Sequence, residues 1–225
     1  MKPTNPAAAR VVILISGRGS NMQALVRAAS QITNVNITAV ISHSPCSEGL
    51  AWAQAQGITT EQLVYDAAGG QTRAQYDQAL AERIDRYRPD LVLLAGFMRI
   101  LSDDFVRHYT GRLVNIHPSL LPLFPGLHTH QQALDAGVRV HGCSVHFVIP
   151  ALDQGPIIAQ AVVPVVAGDT AQSLAQRVLV MEHRLYPQVL QWLVEKDVYL
   201  DEHGKVGLTR ALPLQQFYAD TEYVS

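Results

Sequence analysis

The chain has few cysteines and no long apolar run, and each shortage excludes a class of protein. Its 225 residues contain two cysteines, Cys46 and Cys143, too few for a disulfide framework or a four-cysteine zinc site. We expect both to be buried as small apolar side chains in a reducing compartment. No stretch approaches the roughly 20 apolar residues of a membrane helix, and Val11–Ile15 is too short for a signal-peptide core. These shortages predict a cytoplasmic protein without a membrane partner.

The chain also lacks a large excess of positive or negative charge. Seventeen Lys and Arg against nineteen Asp and Glu leave a formal net charge of −2, whereas proteins that bind nucleic-acid backbones carry a clustered basic excess. We therefore expect no nucleic-acid partner. A hydrophobic fraction of 48% with 16% charged residues favours a sizeable core over disorder. The length predicts a single domain over residues 1–225, with a loose lead-in at 1–9 and a small hairpin and tail at 198–225.

Apolar runs alternate with helical patterns along the chain. Val11–Ile15, Ile37–Ile41 and Leu91–Ala95 are continuous apolar runs, which are typical of strands covered on both faces of a parallel sheet. Helices are predicted after Gly19 and near 47–56, 72–87, 103–109, 130–136 and 169–192, a short strand or an extended segment at 58–65, and further strands at 143–149 and 157–165. Pro187 is expected to kink or divide the last helix. The alternation predicts a doubly wound, mostly parallel α/β sheet with a small C-terminal hairpin.

The first strand is followed by a glycine-rich turn. Gly17 and Gly19 permit close backbone approach, and the free amides at the start of the next helix, around Ser20 and Asn21, favour an anion such as phosphate. A dinucleotide is less favoured, because Met22 stands where a third glycine would be needed. The alternative is a tight turn without a ligand.

A second group of candidate residues follows the strand Leu91–Ala95. The backbone of Met98, Arg99, Ile100 and Leu101 could hold a flat aromatic ligand, with Arg99 anchoring an acidic group. The alternative is a core loop whose arginine extends its charge into water. Arg73 lies in the first turn of a helix, where a cation is unfavourable for the helix dipole. It is either ligand-facing or a solvated surface residue.

The third group begins at the end of the apolar strand near Val114. Asn115 and His117 are two residues apart, so their side chains project from one face of a strand. Residues 118–126 contain three prolines and a glycine, which predicts a stiff loop suited to wall a pocket. We expect Asp153, in the connection between the last two long strands, to converge with Asn115 and His117.

This set of side chains favours direct attack on a carbonyl over covalent catalysis. An imidazole can exchange a proton near neutral pH, and an amide can donate to a developing oxyanion. Asn115 and His117 would stabilise the tetrahedral oxygen, while Asp153 would stabilise positive charge on the imidazole and could relay the proton of an attacking amine. A metal-binding interpretation of His128, His130, His141 and His146 is weaker than the alternative that His128 and His130 line the loop and form local hydrogen bonds, and we predict no metal.

Five segments in order resemble phosphoribosylglycinamide formyltransferases of the purine pathway: Ser16–Asn21, Ala95–Leu101, Asn115–Pro122, Pro125–His130 and Asp153–Pro156. The resemblance extends from about Val11 to Trp192. It implies a Rossmann-like formyltransferase fold and transfer of the formyl group of 10-formyltetrahydrofolate to the amine of glycinamide ribonucleotide. Both partners would be small molecules, and we expect a monomer or a weak homodimer.

The resemblance also implies roles for single residues. Asn115, His117 and Asp153 would be catalytic, with the histidine as proton donor. Ribonucleotide-binding residues would be Gly19, Ser20, Asn21 and Glu182, and folate-binding residues would be Arg73, Met98, Arg99, Ile100, Leu101 and Asn115. Three residues depart from the family pattern, and they bear on substrate affinity more than on reaction type: Arg18, Leu123 and Leu179.

Three other functions stay open at this point. A formyltetrahydrofolate deformylase shares the Asn-His-Asp logic but uses water, and such enzymes usually carry an additional N-terminal domain, whereas the first strand here begins near Val11. Methionyl-tRNA formyltransferases have a longer basic C-terminal domain and a loop that Pro125–His130 does not fit. The third alternative is a non-catalytic nucleotide-binding module that kept the glycine-rich turn.

Overall fold

The structure is a computed structural model that describes residues 7–212. Its strands are β1 Ala9–Ile15, β2 Val35–Ser42, β3 Thr60–Gln62, β4 Leu91–Leu94, β5 Leu113–His117, β6 Val140–Phe147, β7 Ile157–Pro164, β8 Val198–Leu200 and β9 Val206–Leu208. Its helices are α1 Ser20–Ala29, α2 Glu48–Ala55, α3 Arg73–Asp85, α4 Asp103–His108, α5 Thr129–Asp135 and α6 Ala171–Val194. The chain divides between Leu113 and Val114 into two compact units.

The first unit contains four parallel strands in the order β3-β2-β1-β4. The β1 residues Val11–Ile15 are completely buried, as the continuous apolar run predicts for a central strand. Helix α3 begins with a capping box between Thr72 and Gln75, which satisfies backbone amides at the first turn. Because parallel strands point the same way, the turns that follow β1 and β4 both lie at their carboxyl ends.

The second unit is built on antiparallel pairing of β5 with β6 and of β6 with β7. The β6–β7 register shifts between Val145 and His146, which marks a bulge. Long helix α6 begins with a capping box at Thr170 and Ser173. Its buried face contains all six apolar residues expected from the 3.6-residue period: Leu174, Val178, Met181, Leu185, Val189 and Trp192.

Most of the predicted elements are confirmed. The α/β class with a mostly parallel sheet, flanking helices and a small C-terminal hairpin is confirmed, and the hairpin consists of β8 and β9. Residues 58–65 were expected to form a short strand or an extended segment, and Thr60–Gln62 within them forms a short strand that pairs with β2. The division of the last helix at Pro187 is wrong, because α6 continues through it. Buried Tyr186, Val189 and Leu190 on both sides explain this: packing outweighs the lost backbone hydrogen bond.

The two cysteines differ in environment. Both are free thiols; Cys143 is buried as predicted, but the prediction for Cys46 is wrong because it is exposed. Among the described residues no helix is long and apolar enough to cross a membrane. The predicted tail after residue 212 and most of the lead-in, residues 1–6, lie outside the described residues. The single-domain assignment stays a prediction.

Candidate active site

Strand β5 ends at a pair of polar side chains. Asn115 and His117 lie two residues apart on β5, and His117 is 5% exposed. The Asn115 amide nitrogen Nδ2 lies 3.2 Å from Nε2 of His146 on the neighbouring strand β6. Strand β5 thus delivers an amide and an imidazole to one place, as the two-residue spacing predicts.

His117 lies against a carboxylate. Its Nδ1 is 3.6 Å from Oδ2 of Asp153, and the same carboxylate oxygen accepts a hydrogen bond from the Gly126 amide at 2.8 Å. On the other side of the ring, Nε2 lies 3.0 Å from the Phe124 carbonyl oxygen. A carbonyl can only accept, so Nε2 carries a hydrogen here. The imidazole therefore presents a proton on Nε2 and turns Nδ1 towards an acidic partner.

The loop after β5 is held by side-chain hydrogen bonds. The Ser144 hydroxyl donates to the Ser119 carbonyl at 2.7 Å and accepts from the Leu121 amide at 3.0 Å. Gln160 donates both to this hydroxyl and to the Leu121 carbonyl, and Thr129 donates to the Pro118 carbonyl at 2.7 Å. The bonds agree with the stiff loop predicted from its prolines, and this loop supplies the Phe124 carbonyl that contacts His117.

Two further histidines pack beside this loop. The rings of His130 and His141 meet edge to face at 5.3 Å between centroids, and Phe124 packs on His141 at 5.9 Å. Burial lowers the pKa of His141 to about 4 and also lowers the pKa of His130, so both rings are neutral near pH 7. Within residues 7–212 no group of three or more His, Cys, Asp or Glu side chains is arranged to hold a metal ion.

Glu182 lies on α6 and is 7% exposed. Its position one residue after Met181 predicts a place at the edge of the buried face of α6, and in the structure the side chain is buried. Burial, with the Glu182 carboxylate as a smaller cause, raises the pKa of the Cys143 thiol. Cys143 is therefore a packed, protonated side chain beside the carboxylate.

In the first unit, the turn after β1 has the backbone expected of an anion site. Gly19 adopts a φ of 69° at the start of α1 and supplies no side-chain cap. Two hydrogen bonds from the start of α2 hold this turn in place. The Ser47 hydroxyl and the Gly49 amide donate to the Gly17 carbonyl at 3.1 and 3.2 Å. Ser20 begins α1 and Asn21, directly behind it, is 8% exposed. The first amides of α1 thus lie on a rigid turn, where a helix dipole favours negative charge.

The segment after β4 combines exposed apolar side chains with a stacked arginine. Met98 and Ile100 are 68% and 59% exposed, and the Met98 amide donates to the Ser16 hydroxyl at 2.6 Å. The guanidinium carbon of Arg99 lies 4.2 Å from the ring centroids of both Tyr65 and Tyr76. Contact with two aromatic faces restricts where this cation can lie.

Arg99 also lacks a carboxylate partner among the described residues, and its Nε is buried without a hydrogen-bond partner there. Its charge is one cause that lowers the pKa of His43, after burial. Burial raises the pKa of Tyr76 to about 12. Arg73 is exposed at the first residue of α3, and Leu101 is half-buried. An arginine fixed between two rings, with donor groups unused, is suited to bind an acidic ligand group.

Sequence reasoning missed the role of His146, which is 2% exposed and bonded to Asn115. The apolar segment around it leaves open the face to which the side chain points. The antiparallel register of β5 and β6 sets that face, because it places His146 directly opposite Asn115, and the sequence of β6 alone does not give this register.

Comparison with known proteins finds relatives that cover almost the whole chain. A family model described as formyl transferase matches residues 9–190. The chain is 48% identical over 213 residues to phosphoribosylglycinamide formyltransferase of Escherichia coli (strain K12), covering 93% of this chain and 99% of the relative. A crystal structure of phosphoribosylglycinamide formyltransferase from Anaplasma phagocytophilum superposes with a TM-score of 0.85 at 40% identity, covering 95% of this chain and 100% of that one.

A formyltetrahydrofolate deformylase from Pseudomonas syringae pv. tomato str. DC3000 is also similar. It has a TM-score of 0.82 at 25% identity and covers 92% of this chain and 67% of that chain. The lower identity makes the deformylase the more distant of these three relatives. Because the family model spans most of the residues and a 48% identical relative is covered almost entirely, this chain belongs to the formyl transferase family.

Proposed function

We propose that this protein transfers the formyl group of 10-formyltetrahydrofolate to the amine of glycinamide ribonucleotide, giving formylglycinamide ribonucleotide and tetrahydrofolate in purine biosynthesis. The observation that carries the proposal is the buried His117, which presents a proton on Nε2 and turns Nδ1 towards the Asp153 carboxylate at 3.6 Å. The relatives' names point to the same reaction class.

The chemistry follows from these groups. The ribonucleotide amine attacks the formyl carbon, a C–N bond forms, and the carbonyl oxygen becomes an oxyanion. An N–H of Asn115 stabilises that oxygen, and the Nε2 hydrogen of His117, which the Phe124 carbonyl accepts in this structure, would be the second donor when the oxyanion takes the place of that carbonyl. Asp153 stabilises positive charge on the imidazole and takes part in moving the proton that the attacking amine loses. Collapse breaks the bond from the formyl carbon to the folate N10, which leaves with a proton as tetrahydrofolate.

Residues for binding the two substrates are assigned from the family resemblance. The turn at Gly19, Ser20 and Asn21 would bind the phosphate through backbone amides, and Glu182 would accept hydrogen bonds from ribose hydroxyls. The folate would bind along Met98, Ile100 and Leu101, with its acidic tail on Arg73 and Arg99. Exposed Met98 and Ile100 supply apolar contact for a flat ring system. Arg18 is exposed beside the phosphate turn and would add a cation there.

The reaction is tested by incubating the protein with 10-formyltetrahydrofolate, with and without glycinamide ribonucleotide. We expect tetrahydrofolate to form only when the ribonucleotide is present, with one formylglycinamide ribonucleotide per folate consumed. Rapid deformylation without the ribonucleotide would instead assign the deformylase activity, and no turnover under either condition would favour a binding module. Chromatography of both products measures the ratio.

Arg99→Ala is expected to raise the folate KM by roughly tenfold or more, since a charge-assisted bond contributes about 1.5–3 kcal/mol, while kcat changes little. The guanidinium is held between Tyr65 and Tyr76 before any ligand arrives, so its loss removes a preorganised contact. Steady-state kinetics at saturating ribonucleotide measures the effect.

The matched control is Arg107→Ala on α4, an exposed arginine paired with Asp103 and Asp104. This variant should leave the folate KM as it is. An unchanged folate KM in Arg99→Ala would remove this side chain from the folate site.

A further inference from the structure

His146 is a buried titratable group to which the proposed mechanism gives no role. It lies on β6, is 2% exposed, and contacts Asn115 directly: its Nε2 lies 3.2 Å from the amide nitrogen Nδ2. Its other ring nitrogen, Nδ1, lies 3.0 Å from the carbonyl oxygen of Phe147. Both ring nitrogens therefore have a partner inside the second unit.

These two contacts determine where the ring carries its hydrogen. The Phe147 carbonyl can only accept, so Nδ1 must be the N–H of a neutral imidazole. Nε2 then carries a lone pair, and the group opposite it must donate. The Asn115 side chain meets this requirement only when its NH₂ group, and not its oxygen, faces His146. The hydrogen-bond chain from Phe147 through His146 to Asn115 thus selects one of the two orientations of the amide.

The backbone around His146 supports this arrangement. On the β5 side the pairing of β6 is regular, and Asn115 lies directly opposite His146 in it. Gly155 approaches so closely that a Cβ there would overlap the Phe147 carbonyl oxygen, and the Phe147 amide donates to the Pro156 carbonyl at 3.0 Å. The carbonyl that fixes the ring is therefore itself fixed, and only glycine fits beside it.

Burial keeps the ring neutral, because it lowers the pKa of His146 more than the hydrogen bond to the Phe147 carbonyl raises it. Burial lowers the pKa of His146, and the smaller electrostatic effects of Asp153 from the β6–β7 connection and of His117 from β5 oppose each other. A protonated ring would place an N–H on Nε2 against the NH₂ group of Asn115, donor against donor. Neutrality is therefore a condition for the observed contact.

We infer that His146 is a positioning residue for the formyl-transfer step: as the Nδ1–H tautomer, it holds the Asn115 amide with its second N–H free for the oxyanion. The inference rests on the proposed function. With the amide turned over, its oxygen would face the developing negative oxygen and repel it. Holding one orientation before substrate arrives avoids that cost during the reaction.

The variants His146→Leu and His146→Gln separate positioning from packing. Leucine removes the acceptor, and kcat should fall roughly 10- to 100-fold, the range found when partners that orient a metal-binding group are removed. The KM values for both substrates should change little. Glutamine can place an amide oxygen near the position of Nε2, so His146→Gln should recover most of the lost kcat.

Two comparisons make this outcome specific. His141→Leu is the matched control, a fully buried histidine on the same strand whose ring packs on His130 and Phe124, and it should cost much less kcat than His146→Leu. In an Asn115→Ala background, His146→Leu should have almost no further effect on kcat, because the group that it orients is gone. Equal losses in the two leucine variants, no recovery by glutamine, or additive losses in the double variant would overturn the inference.

A readout that does not use activity distinguishes this inference from the proposed function. Nitrogen-15 NMR of the imidazole in the wild-type protein without substrate should show His146 neutral and protonated on Nδ1 near pH 7. A ring protonated on Nε2, or charged at that pH, would overturn the inference even if formyl transfer is confirmed. If the wild type shows no formyl transfer but the Nδ1–H tautomer is found, the proposed function fails while the hydrogen-bond chain stands, and the inferred catalytic role is overturned with it.

Discussion

His117→Ala is expected to lower kcat for formyl transfer by roughly 10²–10⁴-fold, the range for loss of a positioned general acid or base, while the ribonucleotide Kd changes little. The imidazole is buried, bears its proton on Nε2, and is the ring that lies against Asp153. Alanine removes both the oxyanion donor and the route of the proton. Single-turnover kinetics measures kcat, and calorimetry with glycinamide ribonucleotide measures binding.

The first unit contains a matched control for this variant. His108 also forms a histidine–carboxylate pair, with its Nε2 2.8 Å from Asp85, but both side chains are more than 40% exposed. His108→Ala should leave kcat within about threefold of the wild type, because surface ion pairs contribute little. The role assigned to His117 is contradicted if its alanine variant keeps close to full turnover.

Asp153→Asn is expected to lower kcat by a similar amount, on the order of 10²–10⁴-fold, as when a neutral amide replaces the carboxylate that orients a catalytic histidine. The substitution keeps size and shape, and an amide oxygen can still accept from the Gly126 amide, the 2.8 Å bond that ties Asp153 to the loop. Only the negative charge beside Nδ1 of His117 is lost. The same kinetic and calorimetric measurements apply, with thermal unfolding to check that the fold is retained.

Asp85→Asn serves as the control for Asp153→Asn, since it neutralises the carboxylate of the exposed pair. We expect it to have no marked effect on kcat. Because His117 and Asp153 act as a unit, the double variant should be little slower than the worse single variant. Multiplicative losses in the double variant, or a large rise in the ribonucleotide Kd of Asp153→Asn, would show that the carboxylate acts elsewhere.

Much of the architecture could be predicted from the sequence because it depends on local patterns. The continuous apolar residues of β1 and β4 form buried strands as predicted, and helices α3 and α6 lie within or close to the ranges predicted near 72–87 and 169–192. The hairpin of β8 and β9 lies within the segment 198–225 where a small hairpin was predicted. Such patterns determine which side of an element is buried before any long-range contact forms.

Other predictions failed where the tertiary structure, and not the local residue pattern, determines helix continuity or side-chain exposure. Proline should interrupt a helix, but Pro187 lies within α6 because the helix is packed along both halves. Cys46 was expected inside and is exposed, since a single cysteine in a loop has no periodic neighbours that would indicate its burial. Arg99 contacts the rings of Tyr65 and Tyr76, which precede it by 34 and 23 residues in the chain. Residue spacing in the sequence does not predict contacts over such separations.

The sequence by itself determined the chemical groups, namely an amide, an imidazole and a carboxylate on the second unit and a glycine-rich turn on the first. It also determined that Asn115 and His117 share a face, because alternation in a strand is a local property. Only the tertiary structure decided that His117 lies against Asp153 and that His146 faces Asn115. The physical reason is that both contacts depend on the pairing of β5 with β6 and on the connection that follows β6, which fix distances between residues that are remote along the chain.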